Sequence, residues 1–384
     1  MQSDITAVFD LGALRHNLKL IRQAVGNDQD IIACVKANAY GHGAEAVARC
    51  LESQGVRWLS VATVADAMTL RQVGTKVRIL LFPGVGERPN KLLADAGITV
   101  SIQSYQEAEY LARDVGAVTP FFLKIDSGLG RLGASLADAV QIVQRIKSRL
   151  PSLKLEGIFT HLPFFDPKDI PWVRARLHEF GTCAASIREI LNSPLVIQAI
   201  ASGGIVFGLE APEANAVNPG QLLFGLEPPA LTTNPDGSSS FGSKPVLSEI
   251  RTFLGAIREI PVDTRFGFGG TFMTHRRTRL AVIPAGFSNS FLLPRNGQIA
   301  NVLGRVVPIV AVSLEHAVLD ITDVEGVRDG CPVILLSQDP THGLALEKVA
   351  RVQNRSPVEV LVSLTGKCNC RYVESYATPA PASS

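Results

Sequence analysis

The chain has 384 residues, 46% of them hydrophobic, and a formal net charge of +2. A chain of this length can bury a large core and is longer than most single domains, so we expect two domains. Acidic and basic residues are interspersed and no basic block occurs, which argues against a nucleic-acid surface held by phosphate contacts. The composition favours a small-molecule substrate.

No apolar run approaches the length that crosses a bilayer, and the chain does not open on a positively charged segment followed by an apolar one. These features predict a soluble, cytoplasmic protein. The six cysteines are scattered, and the one close pair, Cys368 and Cys370, lacks the remaining ligands of a zinc site. We expect reduced thiols there and no metal.

From Ile31 to about Leu226, short apolar runs alternate with segments in which apolar residues recur at three- and four-residue intervals. The runs predict strands at 31–36, 58–62, 77–82, 98–102, 121–126, 155–161, 195–201 and near Ala216. The periodic segments predict helices at 43–54, 64–72, 105–114, 136–149 and 172–191. Eight strand–helix units close most naturally into an α/β barrel, the (β/α)8 or TIM-like architecture.

After Pro228 the composition changes. The range 231–243 is rich in Ser, Thr, Asn, Pro and Gly and predicts a linker or long loop. Beyond it, β-rich segments are broken by glycine and aspartate turns, and they lie at 280–283, 305–312, 317–321 and 333–336. The sequence therefore predicts a barrel domain over 1–230, a mostly β domain over 244–376 and a disordered tail over 377–384.

A barrel carries its chemistry at the C-terminal ends of its strands. Lys36 ends the first predicted strand, Asp126 and Arg131 follow the fifth, His161 ends the sixth, and Ser202 follows the seventh. Each of these residues, taken singly, has an ordinary alternative as a polar side chain that faces solvent. Four strand ends that converge on one mouth favour a functional site.

The nine residues VKANAYGHG, at 35–43, place a lysine at the end of an apolar run and follow it with a tyrosine and two glycines. A lysine in this place can hold an aldehyde as a Schiff base, and the glycines let the main chain close around an anion. The pattern predicts a cofactor anchor. For the lysine alone, a solvent-facing side chain at a strand end is the alternative.

At this point the motifs resemble those of the alanine racemase family, pyridoxal-phosphate enzymes with an α/β barrel followed by a β-domain. The resemblance runs almost end to end and in the right order, through VKANAYGHG (35–43), KIDSGLGRLG (124–133), GIFTHL (157–162), AVNPGQLLFGLEP (216–228) and GRVVPIVAVSLEH (304–316). It implies an amino-acid racemase or epimerase that uses pyridoxal 5'-phosphate. It also implies a homodimer in which each site is completed by the partner's β-domain.

The resemblance assigns cofactor-binding roles residue by residue. Lys36 would be the Schiff-base lysine and the acid/base group on one face of the substrate Cα. Tyr40, Ser202 and the backbone around Gly220 and Gln221 match positions that hold the phosphate, which suits hydroxyl and N–H donors. Singly, Tyr40 has an alternative as a packing tyrosine and Ser202 as a turn residue.

Three further positions lie around the ring of the cofactor in the family. Arg131 matches an arginine beside the phenolic oxygen and the substrate, and His161 matches a histidine packed near the ring. Lys124 matches a lysine that is carbamylated in some members, where its negative charge orients the arginine. His161 is expected to have a supporting role.

Position 287 departs from the family at the chemical centre. Phe287 stands where the family has the tyrosine that acts as second base from the neighbouring subunit, and a phenyl ring moves no proton. Ser288, Ser290 and His316 are the local candidates for a replacement, His316 because an imidazole titrates near neutrality. A structural histidine at a strand edge is the alternative for His316.

Asn218 stands where the family has an arginine that faces the pyridine nitrogen. An amide either donates to a bare nitrogen or accepts from a protonated one, and the second case makes the ring a deeper electron sink. Ala201 and Glu315 replace an asparagine and an aspartate of the family, and Leu314 replaces a methionine whose backbone N–H contacts the substrate carboxylate. These departures leave two alternatives open: a one-face reaction such as decarboxylation, transamination or aldol cleavage, and a non-catalytic cofactor-binding protein.

Overall fold

The computed structural model describes residues 4–86, 88–164, 166–227, 241–267, 270, 272–293 and 297–374. Most of the predicted linker and the whole predicted tail, 377–384, lie outside these residues. The strands are β1 (Thr6–Asp10), β2 (Asp30–Cys34), β3 (Trp58–Val61), β4 (Arg78–Leu81), β5 (Ile98–Ile102), β6 (Thr119–Asp126), β7 (Ala134–Ser135), β8 (Leu153–Phe159), β9 (Val196–Ala201), β10 (Ala216–Asn218), β11 (Leu247–Phe253), β12 (Ile257–Ile260), β13 (Arg265–Phe266), β14 (Phe272–Met273), β15 (Thr278–Ile283), β16 (Ile299–Val302), β17 (Arg305–Val312), β18 (Ala317–Asp320), β19 (Pro332–Ser337) and β20 (Asn369–Val373). The helices are α1 (Leu11–Val25), α2 (Lys36–Tyr40), α3 (Ala44–Ser53), α4 (Val64–Gln72), α5 (Asn90–Asp95), α6 (Tyr105–Asp114), α7 (Leu136–Arg149), α8 (Ile170–Leu191), α9 (Ser202–Val206), α10 (Leu346–Val352) and α11 (Pro357–Ser363).

The chain divides into two compact units. The barrel unit comprises Leu14–Ala39 and Ala44–Lys244, and the β unit comprises Met1–Ala13, Tyr40–Gly43 and Pro245–Ser384. The observed division differs from the expected boundaries at the N terminus. Residues 1–13 belong to the β unit because β1 pairs there, antiparallel with β11 and parallel with β20.

In the barrel unit, eight strands pair in parallel in the order β2-β3-β4-β5-β6-β8-β9-β10, and β10 returns to β2. The sheet is therefore closed, as a (β/α)8 barrel requires, and the predicted fold class is confirmed. All eight predicted strands are present. The predicted helices 64–72, 105–114 and 136–149 coincide with α4, α6 and α7.

The barrel interior is filled by large apolar side chains from different strands. Ile32, Trp58, Leu80, Phe122, Phe159 and Ala216 form a buried cluster to which six strands contribute one residue each. The Trp58 and Phe122 rings meet edge to face with their centroids 5.3 Å apart. This arrangement matches the layered packing of a filled barrel, in which inward positions of neighbouring strands share one level.

The β unit is built on one nine-stranded sheet in the order β12-β15-β18-β17-β16-β19-β11-β1-β20. Its pairings are antiparallel apart from β1 with β20. The mostly β character predicted for this part is confirmed. Within the described part of the chain, no helix is both long and apolar enough to cross a membrane.

Gly157 on β8 offers a test of the barrel packing. A Cβ added there would lie 2.2 Å from Cε1 of Phe122, inside a core with no room to give. We expect Gly157→Ala to lower the free energy of unfolding by about 1–3 kcal/mol, as overpacked cores do. The measurement is the urea midpoint at constant slope.

Gly116→Ala is the matched control, because its added Cβ meets nothing within 4 Å. It should change stability by less than about 0.5 kcal/mol. Equal effects of the two substitutions would contradict the packing described for the barrel.

Candidate active site

The segment that follows β2 has an unusual backbone. β2 ends at Cys34, so Lys36 begins the next element, α2, and does not end the strand as predicted. Ala37, Asn38 and Ala39 have φ of 52–54° and ψ of 48–52°, and Tyr40 has a φ of 52°. Four consecutive residues other than glycine are therefore left-handed.

A left-handed conformation costs roughly 1–2 kcal/mol for each residue that carries a Cβ. Local bonds hold the segment in place: the Ala39 N–H donates to the Val35 carbonyl at 2.9 Å, and the Val35 N–H donates to the Ser60 carbonyl at 2.9 Å. The Asn38 side chain accepts from the N–H of Ala44, the first residue of α3, at 2.8 Å. Strain of this kind is retained where the surroundings over-determine the backbone, and it concentrates at functional sites.

The barrel mouth gathers basic groups. Lys124, on β6, is buried with 4% of its surface exposed, and its Nζ lies 5.4 Å from the centre of the Phe159 ring. Burial, then the charge of Arg131, lowers the pKa of Lys124 to about 8, with Asp126 acting in the opposite direction and Lys36 in the same direction. Because the charges of Lys36 and Arg131 both lower the pKa of Lys124, these two residues lie within electrostatic reach of it. This agrees with the prediction that the strand ends converge on one mouth.

His161 joins the same group of charges. Burial, then the charges of Lys124, Lys36 and Arg131, lowers the pKa of the His161 imidazole to about 4. Part of the surface of His161 is nevertheless accessible to solvent. Partial dehydration and three nearby cations both favour the neutral imidazole at pH 7.

Asp126 organises the loop that carries Arg131. Its Oδ1 accepts from the N–H groups of Gly128 at 2.9 Å and Leu129 at 2.8 Å, and its Oδ2 accepts from Gly130 at 2.8 Å. The loop is closed by the Gly133 N–H, which donates to Oε1 of Gln103 at 2.9 Å. Asp126 thus fixes the backbone on which Arg131 stands.

Ser202 lies directly after β9 and connects to the segment that follows β10. Its Oγ accepts from the N–H of Gly220 at 3.0 Å and of Leu222 at 3.2 Å. A hydroxyl that accepts twice still has its own O–H to donate. The Gly220 N–H is used by Ser202, and Gln221 begins a short 3₁₀ turn, Gln221–Phe224.

Asn218 ends β10 and is buried. Its Nδ2 donates to the carbonyl of Ile32 at 2.6 Å and to Oγ of Ser60 at 2.8 Å. Both amide hydrogens therefore have partners inside the barrel, and Oδ1 is the part of the amide left as an acceptor. The neighbouring Ala201 ends β9 and pairs with Asn218 across the two strands.

The other predicted residues lie in the β unit. Phe287 begins a short 3₁₀ turn and is 40% exposed, and Leu314 is 55% exposed in the turn between β17 and β18. The Phe287 and Ser288 N–H groups donate to the carbonyls of Ser313 and Leu314, so the two turns are tied together. The turn residues Ser313–His316 are closed by the Ser313 N–H, which donates to the His316 carbonyl at 2.7 Å.

Two side chains offered as replacement proton carriers also belong to this pair of turns. Ser288 Oγ donates to Oε2 of Glu315 at 2.9 Å, and His316 is exposed. Ser290 follows the 3₁₀ turn with a φ of 62°, and its carbonyl accepts from Arg355 at 3.0 Å. The structure brings Phe287, Ser288 and Leu314 together within the β unit.

Several supporting residues escaped the sequence reasoning. Ser60 orients Asn218, Gln103 closes the Arg131 loop, and Thr160 donates to Ser127 at 3.1 Å inside the barrel. For Asp126 the sequence indicates only a place after a strand. An aspartate followed by two spaced glycines is a turn signal and could have indicated its backbone role, whereas the other contacts join distant parts of the chain and leave no local signal.

The comparisons with known proteins agree with this geometry. The alanine racemase N-terminal domain family matches residues 9–228, and the alanine racemase C-terminal domain family matches residues 247–372. The chain belongs to the alanine racemase family. The resemblance carried by the motifs is thereby confirmed.

Relatives in this family match over nearly the whole chain. The alanine racemase of Sorangium cellulosum (strain So ce56) is 32% identical over 380 residues, 94% of this chain and 96% of that protein. The alanine racemase of Thermodesulfovibrio yellowstonii is 30% identical over 383 residues, 97% of this chain and 99% of that protein. The crystal structure of alanine racemase from Bartonella henselae with covalently bound pyridoxal phosphate has a TM-score of 0.78 at 25% identity, covering 96% of this chain and 99% of that one.

These relatives are named as racemases, which are isomerases, and the predicted enzyme class is confirmed at the level of the family. The comparisons do not favour a one-face reaction or a non-catalytic protein.

The burial of Lys124 predicts a pH dependence of stability. Below a pH of about 8 the lysine is charged in both the folded and the unfolded chain. Burial of this charge then lowers the free energy of unfolding by its full amount. Between about 8 and 10.5 the unfolded chain binds more protons at this lysine, so the free energy of unfolding rises with pH. Lys124→Met should therefore be more stable than wild type at pH 7 by about 1–3 kcal/mol, with the difference shrinking towards pH 10.5.

Chemical denaturation at several pH values measures this difference between Lys124→Met and wild type. The buffer is free of carbon dioxide so that the amine stays unmodified. Lys154→Met, at an exposed lysine of β8, is the control and should be nearly neutral at every pH. A Lys124→Met protein that is less stable than wild type at pH 7 would overturn the assignment of an unfavourable buried charge.

Proposed function

We propose that this chain is a pyridoxal-phosphate-dependent racemase or epimerase of an amino acid, with Lys36 as the lysine that holds the cofactor. The observation that carries the proposal is the grouping of Lys36, Lys124, Arg131 and His161 at one barrel mouth. Pyridoxal phosphate, when bound, supplies an electron sink that makes the Cα proton of an attached amino acid acidic. The family, and the cofactor named for the Bartonella henselae relative, support this choice.

The residues of the barrel mouth fit a group that carries an aldehyde and a phosphate. Lys36 offers an amine for the aldehyde, and the excess of positive charge favours an anion. Ser202 has its O–H left to donate towards a phosphate oxygen, and Tyr40, Gly220 and Gln221 are the further phosphate-binding positions. Because the Gly220 N–H is bonded to Ser202, we expect it to act through the serine.

Lys36 and the residues around the cofactor ring have different proposed roles at the reacting carbon. We propose that Lys36 Nζ moves the proton on one face of the substrate Cα. Arg131, held by the Asp126 loop, would bind the phenolic oxygen of the cofactor and the substrate carboxylate. His161, whose pKa is lowered to about 4, would pack against the cofactor ring without adding a further positive charge.

Asn218 is proposed to accept a hydrogen bond from the ring nitrogen. Because both of its amide hydrogens are bonded to Ile32 and Ser60, its oxygen is the atom left for the cofactor. An acceptor there would favour the protonated form of that nitrogen and so a deeper electron sink. The family's arginine, which can only donate, has the opposite effect.

Lys124 is proposed to react with carbon dioxide to form a carbamate. The neutral amine is the form that reacts, and a pKa of about 8 provides it near physiological pH. The ammonium first loses one proton to give the neutral amine, and forming the N–C bond releases a second, so a buried cation becomes an anion. That anion would offset the charge of Arg131 and remove the repulsion between the basic groups of the mouth.

The second proton carrier is proposed to come from a partner chain in a homodimer. Phe287 and Leu314 are large apolar side chains that are exposed in the described part of this chain, as residues buried by a partner would be. Leu314 would offer its backbone N–H to the substrate carboxylate. His316, Ser288 and Ser290 are the candidates for the proton on the second face, since Phe287 has no ionisable hydrogen.

Exchange at Cα in heavy water, followed by chiral analysis, tests the proposed function. The cofactor-loaded protein is incubated with a panel of amino acids, and deuterium incorporation and inversion are measured together. We expect both from at least one amino acid, because protons on the two faces are exchanged by different groups. Lys36→Ala should lower both rates by about a hundred- to ten-thousandfold.

Lys154→Ala is the control for loss of a lysine and should keep the wild-type rates. Exchange without inversion in the whole panel, or release of carbon dioxide, a keto acid or an aldehyde in place of inversion, would reject racemisation.

Phe287, which stands where the family has a tyrosine, leads to a separate prediction. Phe287→Tyr restores a phenol, and a positioned acid/base group contributes about a hundred- to ten-thousandfold in rate. We expect the ratio of inversion to exchange to rise, while exchange by Lys36 on its own face changes little. Time courses of deuterium content and enantiomer ratio measure the two separately.

Phe253→Tyr is the matched control, because Phe253 is an exposed phenylalanine of β11 in the same unit, with 41% of its surface accessible. It should leave the ratio unchanged. A Phe287→Tyr protein with the wild-type ratio would show that position 287 does not face the substrate.

A further inference from the structure

Gln103 lies at the strand boundary that closes the barrel. It directly follows β5, which pairs with β6, and β6 leads into the Arg131 loop, residues 127–133. The Gly133 N–H at the far end of this loop donates to Oε1 of Gln103 at 2.9 Å. One side-chain amide therefore joins the end of β5 to the segment that carries Arg131.

Glu107, in the first turn of α6, determines which way the Gln103 amide points. Its Oε1 accepts from Nε2 of Gln103 at 2.9 Å, and its Oε2 accepts from the Gln103 N–H at 3.1 Å. An ionised carboxylate only accepts, so it turns the NH₂ group of the amide towards itself and leaves the amide oxygen for the Gly133 N–H. With the amide reversed, two donors would face each other at Gly133 and two acceptors at Glu107.

The contacts of Glu107 differ from those of the usual helix cap. Ser104 is the N-cap of α6, and its Oγ accepts from the Glu107 N–H at 3.1 Å. A glutamate three residues after a serine N-cap usually returns to the N–H of that serine, in a capping box. Here the carboxylate accepts from the backbone and the side chain of Gln103, the residue before the cap. Capping of α6 alone therefore does not account for Glu107.

Arg88 supplies the opposite charge. Only 13% of its side chain is exposed, and its Nη2 lies 3.5 Å from Oε2 of Glu107 and donates to the carbonyl of Ser101, on β5, at 2.9 Å. A buried guanidinium is costly without a partner, and a carboxylate beside one is stabilised in its ionised form. Arg88 thus favours the acceptor-only state in which Glu107 orients Gln103.

The Arg131 loop is anchored by a side chain before Arg131 and by another after it. Asp126 accepts from the N–H groups of residues 128–130, and Gln103 accepts from Gly133. Gly133 also packs on the end of β6, because a Cβ there would lie 2.7 Å from the backbone nitrogen of Asp126. The second anchor depends on the orientation of one amide, and Glu107 sets that orientation.

We propose that Glu107 is a positioning residue that acts through Gln103 on the Arg131 loop and so sets the affinity for the substrate carboxylate. The inference rests on the proposed function, in which Arg131 binds that carboxylate. Glu107 acts through the loop and not at the reacting carbon, so proton transfer by Lys36 is unaffected. The expected signature is a higher KM with little change in kcat.

A double-variant cycle between positions 103 and 107 tests the orientation. In Glu107→Gln, the new NH₂ group faces a donor of Gln103, and the reversal that relieves this turns the NH₂ group of Gln103 towards Gly133. Gln103→Glu sets two carboxylates against each other. The double variant Gln103→Glu/Glu107→Gln reverses the bond between the two side chains and again leaves an acceptor for the Gly133 N–H.

The first readout is Cα deuterium exchange by the cofactor-loaded protein, measured with the amino acid that wild type exchanges fastest. We expect each single variant to raise KM by about two- to tenfold, the factor for one hydrogen bond, with kcat changed less than about twofold. The double variant should return towards the wild-type KM, because coupled positions are not additive.

The second readout is hydrogen exchange of the Gly133 amide, which reports the anchor without turnover. It should become about two- to tenfold faster in each single variant and return towards wild type in the double variant. The amides of residues 128–130 are the internal reference and should keep their rates, because their bonds to Asp126 are unchanged. Glu109→Gln, at an exposed glutamate of α6, is the matched control and should change neither KM nor the exchange at Gly133.

A Glu107→Gln protein with the wild-type exchange rate at Gly133 would overturn the proposal, and so would faster exchange with an unchanged KM. A loss of kcat at constant KM would assign Glu107 a purely structural role and also contradict it. A double variant no closer to wild type than the single ones would reject the role of the amide orientation. Wild type that exchanges no amino acid would reject the proposed function instead, a result that is separate from the behaviour of the Gly133 amide.

Discussion

Closure of the parallel sheet by the pairing of β5 with β6 is the constraint on which the candidate site depends. In an open sheet the strand ends would spread along an edge, whereas closure brings the ends of β2, β6, β9 and β10 to one mouth. The interior is filled by side chains from six strands, which fixes where each strand ends. The same strands therefore supply the packed core inside the barrel and the candidate site residues at its mouth.

Charge determines what this mouth can bind. The carboxylate of Asp126 accepts hydrogen bonds from three backbone N–H groups of its own loop. The pKa of Lys124 and that of His161 are both lowered, first by burial and then by the positive charges around them. An anionic ligand relieves this imbalance, and both a phosphate and a carbamate do so.

The sequence predicted those parts of the fold whose signal is local. Each barrel strand is a short apolar run, and the helix 136–149 shows its period and its Ser135 cap within a few residues. The left-handed turn after Lys36 was not predicted, because alanine and tyrosine disfavour positive φ and a single asparagine does not indicate a run of four such residues. The membership of β1 in the β unit and the bond from Asn218 to Ser60 were also missed, since each joins segments far apart in the chain.

The central claim is a covalent link between Lys36 and a pyridoxal aldehyde, and reductive trapping tests it most directly. The purified protein is mixed with pyridoxal phosphate, reduced with borohydride, digested and mapped by mass spectrometry. The account predicts that the pyridoxyl group is found on Lys36 and that Lys36→Ala yields no comparable adduct. A reduced adduct spread over surface lysines, or none at position 36, would contradict it.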